Sequence, residues 1–239
     1  KLCEADGRGE MRFRHQPPLI WRSDALDQSW LAGMDWHDWN QYISRRYMGS
    51  ISSTIQHLLA QYQLKDSALK AVGVGSIGTR CGISLYVGPH PDDILVLQGK
   101  QAEPSVLAPY VTLPTFEHQG QRVVEGQRLL QTASDTFLGW GTNPAGDYIY
   151  FRHFRDWKAS VDVSQLDADG LKDYGRLCGW TLAKAHARGG DRRAIAAHID
   201  DPKRFAQDVL EQAIQHADLA EADHASFALA ITQGQDPGV

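Results

Sequence analysis

Cysteine is scarce in this chain, and its few cysteines are widely separated. Cys3, Cys81 and Cys178 are the three cysteines among 239 residues, and none belongs to a Cys-x-x-Cys pair. This spacing indicates neither a zinc site nor a disulfide framework, because zinc sites are typically marked by closely spaced cysteines and disulfide frameworks by an even number of them. The sequence therefore predicts a reduced, cytoplasmic protein, and no metal-ligand set stands out in it.

Long apolar runs and an excess of basic residues are also missing. No apolar run reaches the roughly 18 residues that suggest a membrane span. The first residues, KLCEADGRGEMRFR, lack the apolar region of a signal peptide. The formal net charge is −5, which argues against a dominant surface for nucleic acid or anionic membranes. We expect neither class of partner, although a local basic pocket for a phosphate group stays compatible with this charge.

Glycine, by contrast, is concentrated in the stretch KAVGVGSIGTRCGISLYVG, residues 70–88. Gly73, Gly75 and Gly78 form a Gly-x-Gly-x-x-Gly array there. A Walker loop is excluded because Thr79 and Arg80, instead of Lys and Ser or Thr, follow the last glycine. A dinucleotide-binding turn needs a helix directly after the glycines, whereas the residues that follow alternate as in a strand. The remaining interpretation is a hairpin whose glycine-rich tip covers phosphates, as in protein kinases.

A kinase-like lobe makes two further demands on the sequence. A lysine on the next strand should meet the phosphates, and a glutamate on the following helix should orient that lysine. Lys100 ends the strand pattern ILVLQGK, and Glu125 lies within the helical pattern VVEGQRLL. Each residue has an ordinary alternative: Lys100 is compatible with a solvated strand end, and Glu125 with pairing to Arg122 or Arg128 at helical spacing.

The order of predicted elements supports an α+β fold. Helical periodicity over residues 36–63 is interrupted at Gly49 and Ser50. After it we predict strands at AVGVG, CGISLYVG and ILVLQGK, a helix within 117–134, strands at TFLGWG and DYIYFRHF, and further helices from Asp167 onward. The predicted architecture is a kinase-like nucleotide lobe, with an antiparallel sheet of about five strands plus one helix, flanked by N- and C-terminal helices. The corresponding segments are an irregular and helical region at 1–67, the lobe at 68–157 and a helical region at 158–239.

The catalytic machinery of a kinase is not evident. Such a site needs an aspartate followed shortly by a metal-binding asparagine and later by a second aspartate. Asn40 and Asn143 are the only asparagines, and neither stands in a suitable context. Asp191 is a weak catalytic candidate, since its position before RRAIAAHI is more typical of a helix N-cap. The same capping role is favoured over metal binding for the aspartates of HIDD, residues 198–201.

Several stretches together resemble one family, the bacterial Domain of Unknown Function 2252 proteins, which is itself similar to the kinase-like superfamily. The matching segments, within about residues 60–230, are VGVGSIGTRC, LQGKQAEPSVL, GQRVVEGQRLLQTASDTFLGW, FRHFRDWKASVD and LCGWTLAKAHARGGD. Members commonly carry Lys-Glu-Ala where this chain has Lys100, Gln101 and Ala102. The lysine is kept at this departure, so its expected phosphate contact is unaffected.

The resemblance implies a nucleotide-binding site and a catalytic loop outside this chain. Family members carry Gly-Asp-x-His-x-x-Asn and Asp-Phe-Asp-like patterns upstream of the glycine array, in a circularly permuted order, so this chain looks like the C-terminal portion. The implied ligands are ATP with Mg²⁺ and an unknown small-molecule substrate, and the alternative is a pseudokinase-like scaffold without catalysis. The residues implied to surround the nucleotide are Gly73, Gly75, Ser76, Gly78, Thr79, Arg80, Lys100 and Glu125.

Overall fold

The computed structural model describes residues 2–25, 31, 33–73, 78–112, 116–154 and 161–234. The chain divides into two compact units, Lys1–Trp180 and Thr181–Val239. The first unit contains all the β-strands that the structure describes. The residues predicted to bind nucleotide also belong to this unit, whereas Asp191 belongs to the second.

The N-terminal region is more regular than its sequence indicated. Strands β1 (Cys3–Ala5) and β2 (Met11–Phe13) form an antiparallel hairpin, and β3 (Ile20–Arg22) joins the main sheet beside β4 (Gln63–Lys70). A 3-10 turn over Ser23–Ala25 follows β3. Strands β1, β2 and β3 have only three residues each. They are too short to show the alternation of apolar and polar residues by which a strand is recognised in a sequence.

Two helices follow, with the predicted break between them confirmed. Helix α1 spans Trp36–Met48 and helix α2 spans Ser53–Leu59. The side chain of Asp35 accepts a hydrogen bond from the Asp38 backbone N–H and caps α1. Between the helices, the Ser50 hydroxyl donates to the Tyr47 carbonyl oxygen and accepts from the Trp140 backbone N–H. The break therefore also attaches the helical pair to the sheet.

Over the residues that the structure describes, the main sheet has six antiparallel strands in the order β3-β4-β5-β6-β8-β7. After β3 and β4, the sheet contains β5 (Cys81–Val87), β6 (Ile94–Gln101), β7 (Gly139–Thr142) and β8 (Tyr148–His153). Helix α3 (Gln119–Leu130) lies between β6 and β7 in sequence. The mixed α+β class and the antiparallel sheet are confirmed. The sheet exceeds the expected five strands because β3 extends its edge.

The strand predicted at AVGVG, residues 71–75, is wrong over residues 71–73, because β4 ends at Lys70; Val74 and Gly75 lie outside the described residues. The buried residues of β4 include Asp66, Ser67 and Ala68, which are polar or small. Because these residues carry little apolar signal, the alternation that marks a strand is hidden in QLKDSALK. The strand was instead predicted from the apolar valines next to the glycines.

Each face of the sheet carries its own hydrophobic core. On one face, α1 and α2 pack against odd-numbered residues of β6 and β8, which include Leu95, Leu97 and Phe151. On the other face, Val96 packs with Ile83 and with Phe13 of the β1–β2 hairpin. Neighbouring residues of a strand point to opposite faces, so this division assigns every side chain of β6 to a face.

The C-terminal region is helical, as predicted, with α4 (Ala168–Gly189), α5 (Arg192–His198) and α6 (Pro202–Thr232). The helical spacing of apolar residues after Pro202 predicts that Phe205, Val209, Leu210 and Ile214 face inward. This prediction is wrong, because these side chains are 41–58% exposed. An amphipathic pattern specifies an apolar stripe on a helix, but it does not by itself supply the surface that covers the stripe. None of the described helices combines the length and the apolar character that a membrane crossing needs.

Candidate functional site

The glycine-rich segment connects two adjacent antiparallel strands. Strand β4 ends at Lys70 and β5 begins at Cys81, with Leu69 opposite Gly82 in the ladder. The loop between them therefore forms the tip of a hairpin, and no helix follows it. A dinucleotide-binding turn is incompatible with this connection, because its pyrophosphate rests on a helix N-terminus.

The glycine-rich loop is exposed at both of its described ends. Gly73, Gly78 and Thr79 are exposed, whereas Gly75 and Ser76 lie outside the described residues. Gly78 has a φ of +81°, in the left-handed region that side chains with a Cβ rarely adopt. A glycine is therefore required at the point where the loop returns toward β5.

Lys100 lies at the base of this loop. In the ladders of β6, Lys100 stands directly opposite Cys81 of β5 and opposite Tyr150 of β8. Directly opposed residues in antiparallel strands have Cβ atoms about 4.5–5.5 Å apart and share a face. The lysine that the sequence predicted as a phosphate contact is thus next to the first strand residue after the loop.

Lys100 and α3 occupy the same face of the sheet. Lys100 shares the face of Val96, because both are even-numbered residues of β6. Helices α1 and α2 pack on the other face of the sheet. At the N-terminus of α3, the His118 ring lies 4.5 Å from the Tyr148 ring and 6.5 Å from the Trp140 ring. Both aromatic residues share the face of Tyr150 and hence that of Lys100.

Glu125, the predicted partner of Lys100, makes a different contact. Its carboxylate accepts a hydrogen bond of 2.6 Å from the Gln121 side-chain amide, one turn earlier in α3. Among the described residues, no ion pair within 4.0 Å involves Glu125, with Lys100 or with either neighbouring arginine. Arg122 donates to the Glu103 carbonyl oxygen and Arg128 to that of Leu138. An orienting role for Glu125 stays a prediction.

Arg80 takes part in an ion pair, which is the ordinary alternative to the phosphate contact that the family resemblance implies for it. Its guanidinium lies 2.9 Å from the Asp147 carboxylate, which also accepts a hydrogen bond from the Asn143 amide. The Arg80 backbone N–H donates to the side-chain carbonyl of Gln101. Arg80, Gln101 and Asp147, together with Gly78 and Thr79, line an open cleft beside the loop. A phosphate contact by Arg80 stays a prediction and would compete with Asp147.

Two further cations on this face were missed by sequence reasoning. Lys70 ends β4 opposite Ile20, and Arg152 stands opposite Gln98, so both share the face of Lys100. Burial raises the pKa of the Cys81 thiol, while the positive charges of Lys100 and Lys70 act to lower this pKa. This effect indicates that both lysines are close to Cys81. Neither the Gly-x-Gly-x-x-Gly array nor the pattern of lysine and glutamate includes Lys70 or Arg152, and the strand register reveals their position.

The candidate catalytic aspartate is a helix cap. Asp191 precedes α5, and its carboxylate accepts hydrogen bonds from the backbone N–H groups of Arg193 and Ala194. Asp201 of the HIDD segment caps α6 in the same way, through Lys203 and Arg204. The capping interpretation is therefore confirmed for Asp191 and for Asp201. Within the described ranges, no group of three or more His, Cys, Asp or Glu residues is arranged to hold a metal ion.

Comparison with known proteins identifies the family of this chain. No curated protein and no solved structure is similar enough to this chain to count as a match. A family model described as an uncharacterized protein conserved in bacteria (DUF2252) matches residues 1–230 of the 239. The match includes the glycine-rich loop, β6, α3 and the C-terminal helices described above. The chain therefore belongs to the bacterial DUF2252 family.

Proposed function

We propose that this chain contains the nucleotide-binding lobe of a kinase-like phosphotransferase and binds ATP with Mg²⁺ on the Lys100 face of the sheet. The proposal rests above all on one observation: Lys100 lies directly opposite Cys81, at the base of the glycine-rich hairpin. A kinase places its glycine loop between the first two strands of the lobe and its lysine on the third. Strands β4, β5 and β6 supply these parts in that order.

Helix α3 adds support for this proposal. It follows β6 in sequence and lies on the Lys100 face, where a kinase has the helix that carries the lysine's glutamate. Glu125 is half-buried on this helix and is now bonded to Gln121, an uncharged side chain. A change of side-chain rotamers is therefore required if Glu125 is to pair with Lys100.

Mg²⁺ fits this proposal as an ion carried by the nucleotide. It usually keeps several waters and binds through substrate phosphates plus one or two carboxylates. The chain's own part would be to neutralise phosphate charge through Lys100 and to enclose the phosphates with backbone N–H groups of the loop. The phosphate acceptor would be a small molecule, and its recognition would involve residues beyond the lobe.

ATP binding can be measured by isothermal titration calorimetry with the full chain in the presence of Mg²⁺. We expect Lys100→Gln to weaken ATP binding at least tenfold, because an amide cannot neutralise a phosphate. Lys65→Gln is the matched control, since Lys65 lies in the same sheet but pairs with Glu10 at 2.9 Å. The proposal fails if the unmodified chain binds no ATP at millimolar concentration, or if Lys100→Gln binds it equally well.

A second candidate function is nucleotide binding without catalysis, as in a pseudokinase-like scaffold. It is favoured by the capping role of Asp191, because the carboxylate of this candidate catalytic residue already accepts two backbone hydrogen bonds at the start of α5. The two functions differ in turnover. Release or transfer of the γ-phosphate of radiolabelled ATP, abolished by Lys100→Gln, would exclude the scaffold. ATP binding with no phosphate release in the intact protein would favour it.

A further inference from the structure

Three basic side chains share the Lys100 face, and two of them lie outside the glycine array and its pattern of lysine and glutamate. Lys70 is the last residue of β4, Lys100 is the last but one of β6, and Arg152 is the last but one of β8. All three are half-buried. The β1–β2 hairpin packs on one part of this face and α3 on another.

The register fixes the spacing of these cations. Cys81 separates the strands of Lys70 and Lys100, so these lysines start about 10 Å apart, at roughly 4.8 Å per strand. Lys100 and Arg152 are diagonal neighbours on adjacent strands, at about 7–8 Å. Lys70 and Arg152 are three strand spacings apart, about 14 Å, and Lys100 lies between them. Lysine and arginine side chains are long and flexible enough for all three charged groups to contact successive groups of one extended anion.

Electrostatic effects on two other side chains agree with this placement. Lys70 and Lys100 both act to lower the pKa of the buried Cys81 thiol, against the larger effect of burial. Arg152 likewise acts to lower the pKa of Tyr150, which burial raises. Cys81 and Tyr150 stand on either side of Lys100 in the ladder. The three cations therefore surround one small area of the sheet.

The charge balance distinguishes these cations from others nearby. Lys65, Arg22 and Arg80 each have a carboxylate oxygen within 2.9 Å, from Glu10, Asp24 and Asp147 respectively. For Lys70, Lys100 and Arg152, no ion pair within 4.0 Å is formed with any carboxylate in the described ranges. Lys70 instead has the Phe154 ring at 6.0 Å from its Nζ atom. A bound anion would give these half-buried cations a counter-charge that no carboxylate among the described residues provides.

We propose that Lys70, Lys100 and Arg152 together bind the phosphate chain of a polyphosphate ligand, so that recognition depends on the triphosphate more than on the base. This inference rests on the proposed function for the identity of the ligand as a nucleotide, but the cluster would bind inorganic tripolyphosphate as well. Three positive charges match a ligand with at least three negative charges better than a single phosphate. Arg152 adds a planar, bidentate donor that lysine cannot provide.

The probes are inorganic tripolyphosphate and orthophosphate, titrated calorimetrically into the full chain at one fixed salt concentration. We expect tripolyphosphate to bind at least tenfold more tightly than orthophosphate. Lys70→Gln and Arg152→Gln should each weaken tripolyphosphate binding at least fivefold, and Arg152→Lys should restore part of the loss. Lys65→Gln and Arg176→Gln are the matched controls and should change binding less than twofold.

The outcomes separate this inference from the proposed function. If ATP binds and depends on Lys100 but neither Lys70→Gln nor Arg152→Gln weakens tripolyphosphate, the three-cation site is overturned and the nucleotide proposal survives. If tripolyphosphate binds through all three cations but ATP does not bind, the nucleotide proposal falls alone. Equal losses in the control variants would overturn the cluster, since they would show a general charge effect. Lys70→Met, which keeps the stem beside Phe154, replaces Lys70→Gln if circular dichroism shows that the latter is unfolded.

Discussion

Cys81 and Lys100 face each other across β5 and β6, so that a buried thiol lies next to a half-buried ammonium group. The Gln98 side-chain amide donates a hydrogen bond of 3.4 Å to the Cys81 sulfur from the same side. Burial has the largest influence on this thiol and raises its pKa, despite the neighbouring lysines. Cys81 thus marks the floor of the proposed phosphate site without being a reactive group itself.

The first prediction concerns thiol reactivity. Cys81 is 6% exposed with a raised pKa, whereas Cys178 is exposed. Because the thiolate is the reactive form and reagents need access, we expect iodoacetamide to modify Cys81 at least tenfold more slowly than Cys178 at pH 7.5. Peptide mass spectrometry of a time course measures both rates in one sample. Comparable rates in the folded protein would contradict the burial of Cys81, and unfolding in urea should equalise them.

The second prediction concerns the buried carboxylate of Asp66. Its two oxygens accept hydrogen bonds of 2.8 Å from the backbone N–H groups of Phe13 and Ser67. Asp66→Asn would oppose one of these donors with an amide N–H, so we expect the free energy of unfolding to fall by about 1–3 kcal/mol. Urea denaturation measures the loss. Asp24→Asn is the control, because Asp24 is exposed and shares the partner Arg22.

The same residue predicts a pH effect. Burial raises the pKa of Asp66 above its ordinary value of 3.8, so the folded protein holds this proton more tightly than the unfolded chain does. Protonated Asp66 therefore contributes stability that is fully present below pH 3.8 and is lost as the pH rises through the raised pKa. We expect the stability difference between the unmodified chain and Asp66→Asn to widen as the pH falls from 7 toward 4. A narrowing difference would mean that the folded-state pKa is lowered.

The fourth prediction compares two glycines of the lobe. Gly82 lines a cavity of about 70 Å³ between α1 and the sheet, and a Cβ built there meets only the Ala68 carbonyl oxygen, at 3.8 Å. Gly82→Ala should raise the free energy of unfolding by about 0.4–1 kcal/mol, through reduced entropy of the unfolded chain and partial filling of the cavity.

Gly120→Ala should have the opposite effect. A Cβ on Gly120 would lie 2.6 Å from the Ile149 carbonyl oxygen, so α3 must move away from β8 to accept it. We expect a loss of about 1–3 kcal/mol from this overpacking. Thermal and urea denaturation of both variants gives the comparison. If both alanines stabilise the protein, the close packing of α3 on β8 is wrong.

Prediction from sequence succeeded where periodicity and local chemistry are strong. The alternation in CGISLYVG predicts β5, and the helical pattern around Val124 predicts α3. Asp191 and Asp201 were identified as helix caps because capping depends on a short side chain and the few residues after it. Prediction failed at β4, where the buried carboxylate of Asp66 accepts a hydrogen bond from the backbone N–H of Phe13, 53 residues earlier in the chain.

The candidate site was predictable only in part, for the same reason. The glycine array and Lys100 follow a known spacing along the chain, so a motif reveals them. Lys70 and Arg152 are separated by 30 or more residues from Lys100, and no local pattern links them. Their common face depends on strand register, where a slip of one residue would turn each side chain to the opposite face.

By itself, the sequence determined the α+β class, the hairpin nature of the glycine-rich segment and the order of loop, lysine and helix. These features depend on residues close together in the chain. The tertiary structure alone decided which cations share the Lys100 face, that Arg80 pairs with Asp147 and that Glu125 bonds to Gln121 in this conformation. Each of these is a contact or a shared face set by strand pairing and side-chain rotamers, and such contacts depend on packing more than on spacing along the chain.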